Sequence, residues 1–328
     1  MLLAISRRII PFLLLFLAVA ANTQSPKYLE ITFLTTNDIH SRLLPWDIPG
    51  DPAKGTPTIK GVGGAARRAT VIRRIRAEIK TPVFLTDSGD LMYRDSYIGR
   101  SFHGEADIAV LNATGYDAMV IGNHDFEHSG SQLLGLFKKT KASWVCANLA
   151  YADTEKLLFP PYVIKEADGV RVAFFGLTTG EVLGNLGAKE LNLKLRPPVE
   201  TAAKLVPELR KQADIVVLLS HLGQGPDAQL VRQVPGIDIV LGGHWHSTLM
   251  PPRMVSVGQP TAFYIGMVPI VQVGAYGDYV GRFRTAFHRD DSGKYSLMSC
   301  KGEAIHIDGS TPDDVQITRI LDGFRKGL

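Results

Sequence analysis

The sequence predicts an α/β fold, and two observations carry that prediction. Short apolar strands alternate with segments of helical periodicity over most of the chain, which is typical of βαβ units with a mostly parallel sheet covered on both faces. Polar residues with metal-binding side chains follow several strands directly, at the sheet edge where α/β proteins place their clefts. We therefore expect one functional site at the carboxyl ends of the strands.

The elements can be assigned in chain order. Strands are predicted at 29–35, 83–86, 118–121, 143–147, 215–219 and 237–241, and a hairpin at 162–165 and 170–177 around a type I′ turn at Asp168 and Gly169. Helices are predicted at 65–79, around Ile108 and Leu111, at 132–139, 197–209 and 311–324. Residues 41–64, rich in proline and glycine, are expected to form a long irregular loop. Beyond residue 246 we expect antiparallel strands at 262–265, 269–273, 279–288 and 295–299.

The first 24 residues are predicted to be a signal peptide. Arg7 and Arg8 precede an apolar run over 9–21 that closes on small residues before the polar Asn22. A membrane anchor is the alternative, but the run is shorter than the roughly 20 apolar residues that a spanning helix needs. We therefore expect a secreted or periplasmic protein with no stable membrane span after cleavage.

Composition narrows the possible partners. The chain has 328 residues, of which 45% are hydrophobic and 21% charged, an ordinary globular composition. Removal of the two leader arginines would lower the formal net charge from +4 to +2, too small a charge to predict a nucleic-acid polymer as the partner. Cys146 and Cys300 lack metal-ligand spacing, which argues against a thiolate zinc site. The sequence leaves open whether they pair, and it leaves the oligomeric state open.

Metal-binding side chains follow five of the predicted strands. Residues two apart in an extended segment share a face, so Asp38 and His40 can aim at one point. Adjacent residues diverge, so Asn123 could hold a metal through its amide oxygen while His124 turns toward a substrate. The candidate metal ligands are Asp38, His40, Asp90, Asn123, His221, His244 and His246.

Seven candidate ligands suit two ions better than one. Imidazole, carboxylate and amide oxygen together favour manganese, zinc or iron, whereas calcium would take oxygen ligands throughout. Two ions roughly 3.5 to 4 Å apart that share a carboxylate can clamp the attacking and leaving oxygens of a phosphoryl displacement. The loaded site would be cationic and would favour a small phosphorylated substrate.

In their order along the chain, these motifs resemble those of the calcineurin-like metallophosphoesterases. The motifs are Asp38-x-His40, Gly89-Asp90, Gly122-Asn123-His124-Asp125, His221 and Gly243-His244-x-His246. Segments 36–40 and 122–127 are similar more narrowly to the 5′-nucleotidase branch, and the likeness extends from about Leu29 to His288. The resemblance implies a four-layer α/β/β/α sandwich of mixed sheets with its metals at the strand carboxyl ends.

The resemblance also implies roles for individual residues. The first metal would be held by Asp38, His40, Asp90 and His246, and the second by Asp90, Asn123, His221 and His244, with Asp90 as the bridge. His124 would act as general acid or transition-state stabiliser, oriented by a carboxylate three positions on. That carboxylate is often aspartate in the family and is Glu127 here, while Asp125 is the competing orienter.

The resemblance further implies a catalytic domain over 25–310, followed by a C-terminal helix at 311–328. The nucleotidases that the chain resembles carry a second domain for substrate specificity, which we expect this chain to lack. Loop 41–64, which contains Trp46, is then a candidate substitute wall for the cleft.

The function predicted from these features is an exported dinuclear phosphoesterase that cleaves phosphate monoesters or diesters, nucleotides among the candidates, by attack of metal-bound hydroxide. Two alternatives remain open. One is a sulfur-ester hydrolase with the same motifs. The other is an exported protein that binds a metal or ligand without catalysis.

Overall fold

The chain folds around two six-stranded sheets. The computed structural model describes residues 26–50, 52–93, 96–258 and 266–326. The strands are β1 Tyr28–Thr36, β2 Trp46–Ile48, β3 Ile59–Val62, β4 Val83–Asp87, β5 Ala118–Met119, β6 Ser143–Trp144, β7 Leu149–Tyr151, β8 Tyr162–Ala167, β9 Val170–Thr178, β10 Leu193–Leu195, β11 Ile215–His221, β12 Ile239–Gly242, β13 Arg253–Ser256, β14 Met267–Val271, β15 Tyr279–Arg289 and β16 Tyr295–His306. The α-helices are α1 Ala65–Glu78, α2 Tyr97–Phe102, α3 Glu105–Thr114, α4 Gly130–Lys139, α5 Leu186–Glu190, α6 Pro198–Arg210, α7 Gln224–Gln233 and α8 Val315–Arg325. Short 3₁₀ helices lie at Pro52–Lys54, His124–Glu127 and Gly180–Gly184.

Both large sheets are mixed. The first has the order β16-β15-β1-β4-β5-β6, in which β1, β4, β5 and β6 are parallel and β15 is antiparallel to its two neighbours. The second has the order β13-β14-β12-β11-β9-β8, parallel from β14 to β9 with antiparallel edge strands. The predicted sandwich of mixed sheets is confirmed. The expectation of one mostly parallel sheet is wrong, because the parallel strands are divided between two sheets.

Alternating side chains along the central strands build the layers. Phe33 of β1 lies between the sheets, where its ring centroid is 6.2 Å from that of Phe174, while the next residue, Leu34, packs with α1 and α3. On β11, Val217 lies between the sheets and Val216 packs under α6 and α7. Strands buried on both faces must be apolar throughout. Truncation of Phe33 to alanine would therefore leave a cavity between the sheets and cost about 3–5 kcal/mol.

The region predicted as a long irregular loop, 41–64, contains structure of its own. Strands β2 and β3 pair antiparallel within it, and a 3₁₀ helix lies between them. Its two strands have only three and four residues, too short for a period-two pattern to stand out against the surrounding prolines. The region is therefore a small hairpin that brings Trp46 to a fixed place.

Several other boundaries differ from the prediction. The helix expected around Ile108 and Leu111 is α3, and a further short helix, α2, precedes it, separated by residues in left-handed conformation. The strand expected at 269–273 is β14, which pairs parallel with β12 on one side and antiparallel with β13 on the other. Strand β13 and helix α7 were not predicted. The strand expected at 262–265 lies outside the described residues, as do residues 1–25 with the predicted signal peptide.

The predicted hairpin turn and the C-terminal helix are both present. Asp168 and Gly169 have φ values of 51° and 74°, the left-handed pair that a type I′ turn requires. Helix α8 begins after Asp314, whose side chain accepts hydrogen bonds from two backbone N–H groups of its first turn. Ile317 and Leu321 of this helix pack against α1 and α3, so the C-terminal helix is part of the domain core.

The two cysteines are unpaired in the structure. Cys146 is buried in the core, where burial raises the pKa of its thiol to about 12, and Cys300 is half-buried on β16. The thiolate is the reactive form of cysteine, and the raised pKa favours the neutral thiol of Cys146 at neutral pH. Of the two possibilities that the sequence left open, the structure has both cysteines as free thiols.

Candidate metal centre

Strands from both sheets end at one place and carry the predicted ligands there. In the first sheet, β1 is followed by Asp38 and His40, and β4 by Asp90. The second sheet supplies His221 at the end of β11, with His244 and His246 after β12. Both carboxylates and the Asn123 amide thus come from the first sheet, whereas the second contributes only imidazoles.

Three overlapping groups of possible metal ligands result. In each group the candidate ligand atoms lie within 4.8 Å of one another. The groups are Asp38, His40 and His246; His40, Asp90 and His124; and Asp90, His221 and His244. Six of the seven predicted ligands are therefore brought together, and His124 joins them.

The first group closes around Asp38. Nε2 of His40 and Nε2 of His246 are 2.9 Å apart, and Nε2 of His246 is 3.4 Å from Oδ1 of Asp38. Nε2 of His40 is 4.0 Å from both Oδ1 of Asp38 and Oδ2 of Asp90. This convergence of two imidazole nitrogens and two carboxylates suits a divalent cation.

The third group, Asp90 with His221 and His244, closes around Asp90. Nδ1 of His221 donates to the carbonyl oxygen of Ser88 at 2.7 Å, which fixes the tautomer and turns Nε2 toward Oδ2 of Asp90, 3.2 Å away. The ring of His244 has its centroid 5.0 Å from that of His221. A hydrogen bond from the backbone to the other ring nitrogen is the usual way in which proteins orient a histidine ligand.

Buried polar atoms without partners test whether these residues fit a metal. Among the described residues, Oδ1 of Asn123, Nε2 of His221 and Nδ1 of His40 are buried and make no hydrogen bond. Buried polar groups are otherwise almost always satisfied, so each such atom needs an explanation. A cation beside Asp90 would satisfy the His221 nitrogen, which lies 3.2 Å from that carboxylate, and the amide oxygen of Asn123 is a ligand type that such cations accept. The donor set fits.

The ligand loops are held in an unusual backbone conformation. Five of the ligands have positive φ, namely Asp38 (51°), His40 (51°), Asp90 (54°), His244 (78°) and His246 (53°). This left-handed region costs about 1–2 kcal/mol per residue for side chains other than glycine. The expectation that Asp38 and His40 share a face because the chain is extended is therefore wrong. The turns aim them together, and such strain is concentrated at functional sites.

Hydrogen bonds and close approaches maintain this conformation. Backbone N–H groups of Asp38 and His40 donate to the carbonyl oxygens of Gly89 and Asp90, each at 2.9 Å. At Gly122 a Cβ atom would lie 2.1 Å from Oδ1 of Asp90, so only glycine fits there. The glycine before Asn123 thus permits the close approach of two ligand loops.

The two carboxylates after His124 have different surroundings. Oε1 of Glu127 is 2.6 Å from Nδ1 of His124. Asp125 is fully buried, and its oxygens accept from the backbone N–H groups of Asp90, Met92 and Gly122 at 2.8–3.1 Å. No hydrogen bond joins Asp125 to the His124 ring within the described chain. The glutamate contacts the imidazole, and the aspartate ties two ligand loops together.

Electrostatics differ among the histidines. Burial lowers the pKa of His40 to about 4 although Asp90 and Asp38 oppose the shift. Burial alone would lower the pKa of His221 as well, but the adjacent Asp90 carboxylate raises it to about 10. The hydrogen bond that the His124 ring donates to the Glu127 carboxylate raises the pKa of His124. The neutral form that metal ligation requires is thus already favoured at His40.

Three contacts of the site were not predicted. Nδ2 of Asn185 donates to the backbone oxygen of Asn123 at 2.6 Å, and Oε1 of Glu181 lies 3.3 Å from Nε2 of His244. The third is the carbonyl of Ser88, which holds His221. No sequence signal marks them, since Asn185 is 62 positions from the residue it contacts and backbone carbonyls carry no residue identity.

Four layers with a histidine and carboxylate centre at the strand ends define the metallophosphoesterase class of fold. The family model for calcineurin-like phosphoesterases matches residues 31–248, and the chain belongs to this family. The predicted class, a hydrolase of phosphate esters, is confirmed at the level of the family, whose members use divalent metals.

The relatives include several nucleotidases. Snake venom 5′-nucleotidase of Naja atra is 32% identical over 87% of this chain and 55% of its own length. The 2′,3′-cyclic-nucleotide 2′-phosphodiesterase/3′-nucleotidase of Salmonella typhimurium is 29% identical over 84% of this chain and 46% of its own. The solved structure of a 5′-nucleotidase precursor from Thermus thermophilus superposes with a TM-score of 0.78 at 29% identity, covering 91% of this chain and 59% of that one. This chain spans about half the length of these relatives.

The helices of the described residues are short relative to the thickness of a membrane. Within the described ranges, none of them has the length and apolar character needed to cross a lipid bilayer.

Proposed function

We propose that this chain is an exported, dinuclear metal-dependent phosphoesterase that hydrolyses phosphate monoesters or diesters, with nucleotides as the first candidates. The observation that carries the proposal is the pair of ligand groups that share Asp90, one with His40 and His124 and the other with His221 and His244. A single ion would not need ligands on both sides of this carboxylate. The nucleotidase relatives support the nucleotide part.

Two sets of residues would hold the ions, manganese, zinc or iron. Asp38, His40, Asp90 and His246 would hold one, and Asp90, Asn123, His221 and His244 the other. When bound, such ions supply a nucleophile from water and neutralise the charge of a phosphoryl group. The protein contributes fixed ligand directions, because most of these side chains are buried and tied to backbone groups.

His124 is proposed to protonate the leaving oxygen. Its Nδ1 is engaged by Glu127, so the proton for the substrate would be carried on Nε2. Its side chain is 36% exposed, the accessibility that contact with a substrate requires, and its ring centroid is 5.0 Å from that of His40. Glu127 would hold the ring and stabilise its charged form, as orienting carboxylates do. Asp125 is proposed to fix the loops and to take no part in proton transfer.

Export rests on the first 24 residues. Arg7 and Arg8 followed by the apolar run 9–21 support a cleaved signal peptide and a secreted or periplasmic location. The proposed catalytic domain then spans 25–310, with the C-terminal helix at 311–328. N-terminal sequencing of protein recovered from an exporting host tests this, and an intact leader on the mature protein would contradict it.

A substrate panel on the exported chain tests the activity. Loaded in turn with manganese, zinc and iron, the protein is expected to cleave some nucleotides, cyclic nucleotides, sugar phosphates or other phosphate esters, and a chelator is expected to abolish turnover. Sulfate and thiosulfonate esters belong in the panel, because turnover of these alone would establish the sulfur-ester alternative. Two bound ions without turnover of any ester would establish the non-catalytic binder.

A further inference from the structure

An aromatic flank adjoins the metal centre on one side. The ring centroid of Tyr276 lies 5.6 Å from that of His40 and 5.2 Å from that of His246. Trp46 packs edge-on against Tyr276 with their centroids 5.9 Å apart. The guanidinium carbon of Arg42 lies over both rings, 4.9 Å from the Trp46 centroid and 5.7 Å from that of Tyr276. A continuous surface thus leads from the imidazoles to an arginine.

The two aromatic residues are fixed by the backbone and by a buried carboxylate. Tyr276 has a φ of 60°, which is rare for an aromatic residue, and its N–H donates to the carbonyl oxygen of Asp38 at 2.7 Å. Nε1 of Trp46 donates to Oδ1 of Asp278 at 2.8 Å. The strained turn at Tyr276 therefore places its ring directly against a metal-ligand loop, and strain of this kind points to a function.

Arg42 has the properties of an anion-binding group. Its side chain is exposed, and it makes no ion pair within 26–50, 52–93, 96–258 and 266–326. The guanidinium carbon lies close to both ring centroids, and its N–H groups have no carboxylate partner among the described residues, so they are available to a ligand. A guanidinium presents these donors as a rigid fork that matches a phosphate or carboxylate bidentately. Stacking also lowers the entropy lost when the fork binds.

We propose that Arg42, held by Trp46 and Tyr276, binds a second anionic group of the substrate on the aromatic flank that contacts the metal ligands His40 and His246. The preferred substrates then carry a further phosphoryl or carboxylate group next to the phosphoryl group that is cleaved. In a nucleoside diphosphate, water would attack the terminal phosphorus, the anhydride bond to the bridging oxygen would break, and the nucleoside monophosphate would leave. This inference rests on the proposed phosphoesterase function. Stacking of a planar base on Trp46 is the competing use of the same surface.

Arg42→Ala tests the proposal with AMP and ADP, which share a base and a ribose and differ by one phosphoryl group. In metal-loaded full-length protein, kcat/KM for ADP is expected to fall at least about tenfold and that for AMP about twofold or less, as loss of a charge-assisted hydrogen bond predicts. Arg42→Lys keeps the charge without the fork and should lie between. Arg74→Ala removes an exposed arginine from α1 and serves as the control for net charge.

A binding measurement separates this proposal from the function on which it rests. Calorimetric titration with AMP and with the non-hydrolysable α,β-methylene analogue of ADP is expected to show a tighter Kd for the analogue, an advantage lost in Arg42→Ala. If the wild type cleaves no ester, the proposed function fails while the titration still decides the role of Arg42. Equal losses for both ligands, or a loss on Trp46→Ala without one on Arg42→Ala, would overturn the proposal.

Discussion

The two walls of the metal centre are built differently. The first sheet contributes Asp38, His40, Asp90 and Asn123, all buried, and their loops are joined by hydrogen bonds from backbone N–H groups to carboxylates. The second sheet contributes three imidazoles, of which only His221 is fully buried, whereas the His246 side chain is 37% exposed. The first sheet therefore supplies the negative charge and the rigid ligands, and the second sheet supplies the side of the centre that is open to solvent.

This asymmetry has an energetic basis. A buried carboxylate without partners would be costly, so Asp38 and Asp90 are surrounded by N–H donors and imidazoles. An imidazole can be neutral and needs less support, which permits the second wall to open toward solvent. Substitution of Asp90, the shared ligand of the first wall, should therefore affect both ions, while substitutions in the second wall should affect one ion at a time.

The largest effect is expected for Asp90→Ala. Asp90 belongs to two of the three ligand groups. Its loss should therefore lower the affinity for each of the two ions by more than about 100-fold, which exceeds the roughly 10- to 100-fold loss typical of residues that only support a ligand. Metal content after dialysis, measured by mass spectrometry, is expected to fall from two ions per chain to none. The exposed Glu78→Ala on α1 is the control, and retention of two ions by Asp90→Ala would refute its bridging role.

The next effect concerns catalysis without metal loss. His124→Ala should lower kcat by about 10² to 10⁴, the usual contribution of a general acid, while both ions stay bound. Steady-state kinetics at matched metal content measure the change. An unchanged kcat would remove His124 from the proton transfer, and loss of an ion would make it a ligand.

A smaller effect, on the affinity for one ion only, is expected for the partly exposed histidines of the second sheet. His246→Ala removes a partly exposed imidazole from one group only, so the affinity of a single ion should fall by about 10- to 100-fold. Competition with a metal chelator resolves the two binding steps. If both affinities fell together, the two walls would not act on the ions separately.

The smallest effects separate the two acids that follow His124. Glu127→Gln should reduce kcat by roughly tenfold with little change in the free energy of unfolding, since it alters one hydrogen bond to the imidazole. Asp125→Asn should instead destabilise the fold by about 1–3 kcal/mol. An amide has one acceptor oxygen in place of two, so it cannot accept from all three N–H groups that Asp125 serves. Denaturant unfolding and kinetics on both variants measure the contrast, and exchanged outcomes would reverse the two roles.

The sequence was most informative where local pattern and chemistry coincide. Each ligand follows an apolar strand, so its position at the sheet edge follows from the strand itself, and the resemblance supplied the arrangement of two sheets. Within the site, the reason given for the shared aim of Asp38 and His40 was wrong, because a left-handed backbone has no signature in residue type. The identity of the carboxylate that contacts His124 likewise depended on the 3₁₀ turn at His124–Glu127, which brings residues three apart together.

What the sequence could not predict depends on contacts between distant segments. Tyr276 and Trp46 are separated by more than two hundred positions and meet only because both sheets place their loops on one side. The hairpin within 41–64 cannot be told from a loop by residue pattern, since its strands are too short to show one. The flank formed by Arg42, Trp46 and Tyr276 therefore emerged only from the three-dimensional arrangement.

The most direct test of two cooperating walls is to add metal stepwise to the metal-free protein and to measure the rate of phosphate-ester hydrolysis after each addition. The structure predicts that hydrolysis is absent without metal and rises to a plateau at two equivalents of ion per chain. A plateau at one equivalent, or full activity in the presence of excess chelator, would contradict a centre built on both sides of Asp90.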